Sequence, residues 1–205
     1  MVIGVARAVA TRTITAGGGT PFSFTRQIAA STDDAEETPV GGTVWLDGSD
    51  IELCNDSNGS VYQLVFLRFL TMDVAASDTV DTATIRFTSD EVHSTAVTVR
   101  IFGADVDNVG TATLGAGGLS ALAKTTAFVD WSIPSWGSTG LSGTDQTTPN
   151  LKSIVDEITA RAGWAQNNAI AFLIQDQSGT TTRRVAVAYD TNPAQAAVLS
   201  VDGSR

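Results

Sequence analysis

One stretch of the chain decides the fold class: Tyr62-Gln63-Leu64-Val65-Phe66-Leu67-Arg68-Phe69-Leu70. A strand that is covered on one face alternates between apolar and polar residues, whereas a strand that is covered on both faces is apolar almost throughout. This nearly continuous apolar run therefore predicts a core strand with protein packed on both of its faces.

The segments before and after this run alternate between apolar and polar residues, as half-buried strands do. Residues 83–88 and 97–102 alternate cleanly, and Thr and Val are frequent in them. Shorter strand candidates lie at residues 22–25, 44–46, 51–53, 127–131, 169–174, 184–189 and 197–201. Many short strands separated by Gly, Asn and Asp predict an all-β fold, which we expect to be a jelly-roll-like β-sandwich.

One segment has helical instead of strand periodicity. Thr148 offers an N-cap, and Pro149 follows at the first helical position, where its missing N–H costs nothing. The apolar residues that follow have the i, i+3, i+4, i+7 spacing of one helix face: Leu151, Ile154, Val155 and Ile158. The pattern predicts a single short α-helix over about residues 149–161, ended by Gly163, that covers an open end or edge of the sandwich.

The first 30 residues look separate from the sandwich, because the Gly-rich residues 16–21 interrupt two weakly alternating segments. We therefore expect an N-terminal arm over residues 1–30 and one β-sandwich domain over residues 31–205. The arm is either a first strand with a flexible leader or an anchor that docks on a neighbouring subunit. Residues 1–10 are faintly signal-like, but they have no basic n-region and Arg7 interrupts their apolar stretch, so we expect synthesis and assembly in a cytoplasm.

The composition excludes several classes of function. The chain of 205 residues has a formal net charge of −10, which disfavours nucleic acid and anionic membranes as partners. No apolar run approaches the roughly 20 residues of a membrane span. Cys54 is the single cysteine and His93 the single histidine, so an intrachain disulfide and a zinc site with several His or Cys ligands are both excluded by count.

Six of the 22 acidic residues lie in two short segments, residues 31–37 and 50–53. Calcium takes six to eight oxygen ligands, and these segments could supply several of them if they pair in space. The candidate calcium ligands are Asp33, Asp34, Glu36, Glu37, Asp50 and Glu52. The alternative is a solvated acidic turn in which Glu36 or Glu37 caps backbone groups. Outside the cluster, Asp105, Asp107 and Asn108 are better explained by turn chemistry.

The aromatic residues give a second candidate site. Trp136 is flanked by Pro134 and Gly137, and of the four tryptophans it is the best candidate for an exposed ring that stacks on a sugar. Trp45, Trp131 and Trp164 are expected in the core or against the helix. Catalysis is poorly supported: His93 has no nucleophile elbow near it in sequence, and the glycine-rich stretches lack the Lys of a phosphate loop, so we expect no enzyme.

Several motifs together resemble a known module. They are Asp-Asp-Ala-Glu-Glu at residues 33–37, Trp-x-x-Pro-x-Trp at residues 131–136, and Thr-Pro-Asn-Leu at residues 148–151 leading through a helix to Gly163-Trp164. This order resembles a non-catalytic β-sandwich domain of bacterial extracellular and phage structural proteins, which in turn is similar to jelly-roll carbohydrate-binding modules. The resemblance covers about residues 31–201. It implies a sandwich that often carries structural calcium.

The sequence thus favours a structural protein displayed on a phage-like particle, as a head decoration, spike or fibre component. In that setting the arm would bind other virion subunits, the chain would form a homo-oligomer such as a trimer, and the sandwich would contact host glycans. The protein would be made in the host cytoplasm and end on the virion surface. The alternative is a secreted, calcium-stabilised carbohydrate-binding module.

Overall fold

A computed structural model describes residues 19–56, 62–177, 179 and 181–205 of the chain. Residues 1–18, which make up most of the predicted arm, lie outside the described residues. The strands are β1 (Pro21–Gln27), β2 (Asp34–Thr38), β3 (Thr43–Trp45), β4 (Asp50–Leu53), β5 (Leu64–Phe69), β6 (Thr79–Arg86), β7 (Val97–Ala104), β8 (Lys124–Ile133), β9 (Ile170–Asp176), β10 (Arg184–Val187) and β11 (Val198–Ser204). The helix α1 spans Lys152–Thr159.

The strands form an antiparallel β-sandwich, as the sequence predicts. One layer is a six-stranded sheet in the order β3-β2-β5-β9-β7-β8. The other layer consists of the three-stranded sheet β1-β11-β6 and the pair β10-β4. An isolated bridge between Ser89 and Ala186 connects the chain after β6 to β10. The prediction of an all-β sandwich with one short helix is confirmed.

Strand β5 is buried on both faces, which confirms the interpretation of its apolar run. Val65, Leu67 and Phe69 belong to the core between the two layers. Leu64 and Phe66 point to the other face of the six-stranded sheet and belong to a second core. The loop over residues 105–123 covers this second core and contributes Val109, Ala112 and Leu119 to it. The larger sheet is therefore packed on both faces.

The helix is shorter than predicted, and it begins after Leu151 instead of at Pro149. The reason lies in the segment before it, which runs along β6. Thr148 Oγ1 accepts a hydrogen bond from Ile85 N at 3.0 Å, and Asn150 Oδ1 accepts one from Ala83 N at 2.9 Å. Thr148 therefore serves the edge of β6 and does not cap the helix, whereas Asn150 Oδ1 also accepts a hydrogen bond at 3.0 Å from Lys152 N, the first residue of the helix. The predicted apolar face is buried, and the helix ends at Thr159, before Gly163.

Two strands lie in segments for which the sequence left alternatives open. Strand β2 lies at Asp34–Thr38, so the acidic segment is a strand and not the solvated turn that stood as the alternative to a calcium site, although Asp and Glu are uncommon in strands. Strand β1 includes the strand candidate at residues 22–25, as expected if the arm contributes a first strand, and it pairs along its whole length with β11, from Pro21 opposite Ser204 to Gln27 opposite Val198. The sandwich therefore begins before residue 31.

Trp45 was expected in the core but is 54 % exposed. It lies at the end of β3, which is an edge strand, and its neighbour Val44 takes the inward position with 1 % exposure. Successive side chains of a strand point to opposite faces, so burying Val44 turns Trp45 outward. Among the described residues, no helix is long and apolar enough to span a membrane.

The close approach of α1 to β7 at Gly103 gives a test of the packing. A Cβ atom on Gly103 would lie 2.6 Å from Ile158 Cδ1 and 2.7 Å from Ile154 Cγ2, so the helix or the strand would have to move. We expect Gly103→Ala to lower the free energy of unfolding by about 1–3 kcal/mol, the usual range for overpacking. Urea denaturation measures the loss.

Gly110→Ala is the matched control, since no described atom lies within 4 Å of its Cβ position. We expect it to change the free energy of unfolding by less than about 0.5 kcal/mol. Equal stability of the two variants would contradict the close packing of α1 on β7.

Candidate functional site

The acidic strand β2 presents its side chains to two different faces of the six-stranded sheet. Ala35 and Glu37 lie opposite Phe66 and Leu64, on the face that the loop covers. Asp34 and Glu36 point to the opposite face, toward the second layer of the sandwich. All four residues are buried. One short strand therefore places carboxylates in two separate environments.

Glu37 joins the sheet to the loop over residues 105–123. Its Oε2 accepts hydrogen bonds from Leu119 N at 2.7 Å and from Ser120 N at 2.9 Å, and its Oε1 accepts one from Gly41 N. Burial by itself would raise the pKa of Glu37, but the hydrogen bonds from Ser120, Gly41 and Leu119 outweigh it, so the pKa lies below its usual value. Glu37 is thus an ionised cap for three backbone N–H groups.

Asp33 and Asp34 also use their carboxylates inside the fold. Asp33 forms an ion pair with Arg68 at 2.8 Å, and Arg68 Nε donates to Val109 O, so this pair also fixes the covering loop. Asp34 Oδ2 accepts from Tyr189 N at 2.7 Å, whereas Oδ1 has no hydrogen-bond partner among the described residues. Burial, assisted by the charges of Asp190 and Asp33, raises the pKa of Asp34 to about 6 despite that hydrogen bond.

The pKa of Glu36 is shifted in the opposite direction from the pKa of Glu37. Its Oε1 accepts hydrogen bonds from Glu52 N at 2.5 Å and from Gln63 Nε2 at 2.8 Å. Burial nevertheless raises the pKa of Glu36 well above its usual value, because these two bonds do not offset the desolvation and because Glu52 and Asp50 are negative neighbours.

Glu36 lies at the base of a pocket of about 410 Å³ beside the edge strand β3. The pocket is lined by five acidic residues and an exposed aromatic ring: Glu36, Asp47, Asp50, Glu52, Asp56 and Trp45. Arg183 Nε approaches Glu52 Oε1 at 3.5 Å from one side. The pKa of Asp50 is raised, mainly by burial and then by the negative charges of Asp90 and Glu91. The pocket therefore combines five carboxyl groups with one exposed tryptophan.

The six predicted calcium ligands do not meet at one point. Glu36, Asp50 and Glu52 line the pocket, whereas Asp33, Asp34 and Glu37 bind Arg68 and backbone N–H groups elsewhere. A single ion bound by all six is incompatible with side chains on opposite faces of one sheet. Within the described ranges, no group of three or more His, Cys, Asp or Glu side chains is arranged to hold a metal ion. Calcium binding by the pocket residues stays a prediction.

Trp136 is not the exposed ring that the sequence analysis expected. Its exposed fraction is 0 %, and its Nε1 donates to Asp145 O at 3.0 Å, so neither ring face is open to a sugar. The Pro and Gly beside it suggested a loop, but its backbone pairs with His93 in an isolated bridge. His93 itself contacts Glu91 at 2.7 Å.

The pocket residues that sequence reasoning missed are Trp45, Asp47 and Asp56. The only signal for Trp45 was its position between two glycine-containing turns, which marks a short strand and does not show which of its faces is covered.

Comparison with protein families found no family model that matches this chain, and the search of curated proteins found no match.

The role of Glu37 gives a direct stability test. Glu37→Gln removes the charge from a buried acceptor of three N–H groups, so we expect the free energy of unfolding at neutral pH to fall by about 2–4 kcal/mol. Chemical denaturation at neutral pH measures this loss.

Glu157→Gln is the control. Glu157 also accepts two backbone N–H bonds, from Thr126 and Ala127, but its side chain is only half-buried, so water can replace the carboxylate. We expect its loss to be under about 1 kcal/mol. Equal effects of the two substitutions would show that Glu37 is not a buried cap.

Proposed function

We propose that this chain is a non-enzymatic structural protein displayed on a phage-like particle, as a head decoration, spike or fibre component, and that residues 1–18 anchor it to other virion subunits. The observation that carries the proposal is the attachment of the segment after residue 18. Thr20 N donates to Arg205 O at 2.7 Å and Arg205 N donates to Thr20 O at 2.9 Å, so the base of the arm is paired with the last described residue.

Further contacts hold the same corner of the sandwich. The rings of Phe22 and Phe24 are stacked with their centroids 6.0 Å apart, and the Arg205 guanidinium lies 4.8 Å from the centre of the Phe22 ring. Arg205 also pairs with Asp73 at 2.9 Å and Asp78 at 3.3 Å. An anchor that precedes Thr20 would therefore be attached to a strand that is hydrogen-bonded to β11 along its whole length and held at its start by the contacts of Arg205.

This arrangement suits a displayed domain. An anchor at residues 1–18 would be attached to β1, in the three-stranded sheet. The edge strand β3, with the acidic pocket and Trp45 beside it, belongs to the six-stranded sheet and would stay accessible to other molecules. The charge of −10 keeps such surfaces soluble and disfavours adsorption to nucleic acid during assembly. We also propose that the chain forms a homo-oligomer, with the trimer as the candidate oligomeric state. Trp45 is the tryptophan available for a contact with host glycans, since Trp136 is buried.

Deletion of residues 1–18 tests the anchor. We expect the shortened chain to keep the melting temperature and circular dichroism spectrum of the full chain, because the sandwich begins at β1. We also expect the full chain to co-sediment with native particles and to be labelled on their surface by immunogold, and the shortened chain to stay in the supernatant.

Asp145→Asn removes one negative charge from an exposed residue outside residues 1–18 and outside the acidic pocket, so it should assemble like the full chain and serves as the control. Absence of the full chain from particles would contradict the display function. Normal incorporation of the shortened chain would contradict the role of residues 1–18.

A further inference from the structure

The acidic pocket beside β3 has the features of a binding site for a cationic group. Its five carboxyl side chains come from β2, from β4 and from the turns next to β4, so the pairing of these neighbouring elements gathers acidic residues of positions 36–56 at one place. Like charges placed together in a partly buried position repel one another, and a bound cation relieves that repulsion. Cation binding by the pocket does not depend on the display function.

The orientation of Glu36 points to a ligand. The residue is only 8 % exposed, and both of its hydrogen bonds, from Glu52 N and Gln63 Nε2, go to Oε1. Oε2 has no hydrogen-bond partner among the described residues. It lies beside Gly48, 3.9 Å from the position that a Cβ atom on this glycine would occupy. Gly48 lines the pocket. A side chain that is nine-tenths buried therefore directs into the cavity a carboxyl oxygen with no hydrogen-bond partner among the described residues, and a cation bound there would favour the ionised form that burial disfavours.

Trp45 forms the aromatic wall of the same pocket. Its side chain lines the cavity and is 54 % exposed, whereas the other three tryptophans are buried. The face of an indole ring attracts a cation through its quadrupole, more strongly than the ring of Tyr or Phe does. Carboxylates and an indole face in one cavity are the combination that an ammonium or guanidinium group needs.

The protein already places a guanidinium against this group of carboxylates. Arg183 approaches Glu52 at 3.5 Å and Glu91 at 3.1 Å, with its side chain 18 % exposed. The remaining pocket space, about 410 Å³, is of the size that accommodates a group of several heavy atoms. A planar guanidinium can form paired hydrogen bonds with carboxylates, which a single small ion cannot.

We propose that this pocket binds an organic cation, namely the guanidinium or ammonium group of a basic side chain on a partner protein. The cation would stack on Trp45 and bind Glu36 Oε2, Asp47 and Asp50. The edge strand β3 beside the pocket leaves room for the main chain that carries such a side chain, because β3 pairs with β2 on one side only within the described sheet.

Calorimetric titration with Nα-acetyl-arginine amide tests the proposal. Nα-acetyl-citrulline amide has the same shape without the charge, and we expect it to bind at least about tenfold more weakly. Trp45→Ala should weaken binding of the arginine probe by about fivefold, and Asp47→Asn by about threefold. Raising the ionic strength should weaken it further, because part of the attraction is screened.

Asp81→Asn is the control, since it removes one negative charge from an exposed position outside the pocket. It should leave the affinity unchanged. Trp45 and Asp47 are exposed, so both variants should stay folded, and unchanged melting temperatures verify this. Titration with spermidine tests whether the natural ligand is a free polyamine instead of a side chain of a partner protein. Tighter binding of spermidine than of the arginine amide would overturn the assignment to a partner protein.

Three results would overturn the cation site itself. One is equal binding of the arginine and citrulline amides. Another is binding of a neutral sugar such as methyl glucoside at concentrations where the arginine amide does not bind, which would support a carbohydrate site at Trp45. The third is saturation by calcium with no response to the arginine amide, which would assign the pocket to the metal.

Discussion

The structure depends on how a strand of acidic residues is accommodated inside a sheet. Strand β2 lies between β3 and β5, and its residues Asp34 to Glu37 are buried. A buried carboxylate is tolerated only when it is protonated, paired or hydrogen-bonded. Here Glu37 is held by backbone N–H groups, Asp33 by Arg68, and Glu36 by Glu52 N and Gln63. These contacts connect the sheet to the covering loop on one face and to β4 on the other.

The pocket is a consequence of the same arrangement. Glu36 accepts the N–H of Glu52 and so holds β4 near β2, and the same pocket is lined by Asp47 from the turn between β3 and β4 and by Asp50, the first residue of β4. Because β3 is short and lies at the sheet edge, Trp45 stays exposed beside these carboxylates. The residues that stabilise the acidic strand thus also shape the concave surface for which we propose a ligand. The attachment of β1 to β11 lies in the other layer of the sandwich, which allows anchoring and binding to use different parts of one domain.

The apolar patterns in the sequence were sufficient for the architecture but insufficient for the site. The run around Val65 predicted a doubly covered strand, and the spacing of Ile154 and Ile158 predicted the buried helix face, because burial of apolar groups is local enough to leave a periodic signal. Strand β2 left no such signal, since its burial depends on N–H donors that are about 80 residues away, at Leu119 and Ser120. The exposure of Trp45 and the burial of Trp136 likewise depend on which elements pack above them.

The central claim is that adjacent glutamates of β2 occupy opposite charge environments, and carbon-13 NMR titration of labelled glutamate carboxyl groups tests it most directly. Glu36→Gln and Glu37→Gln assign the two resonances. We predict that Glu37 titrates below the ordinary glutamate pKa. Its contribution to stability is therefore present above the ordinary pKa and is lost as the pH falls through the lower pKa of Glu37 in the folded protein. Glu36 should titrate well above the ordinary pKa, so ionising Glu36 costs stability as the pH rises. Titration of both groups near the ordinary value, or in the reverse order, would contradict the account.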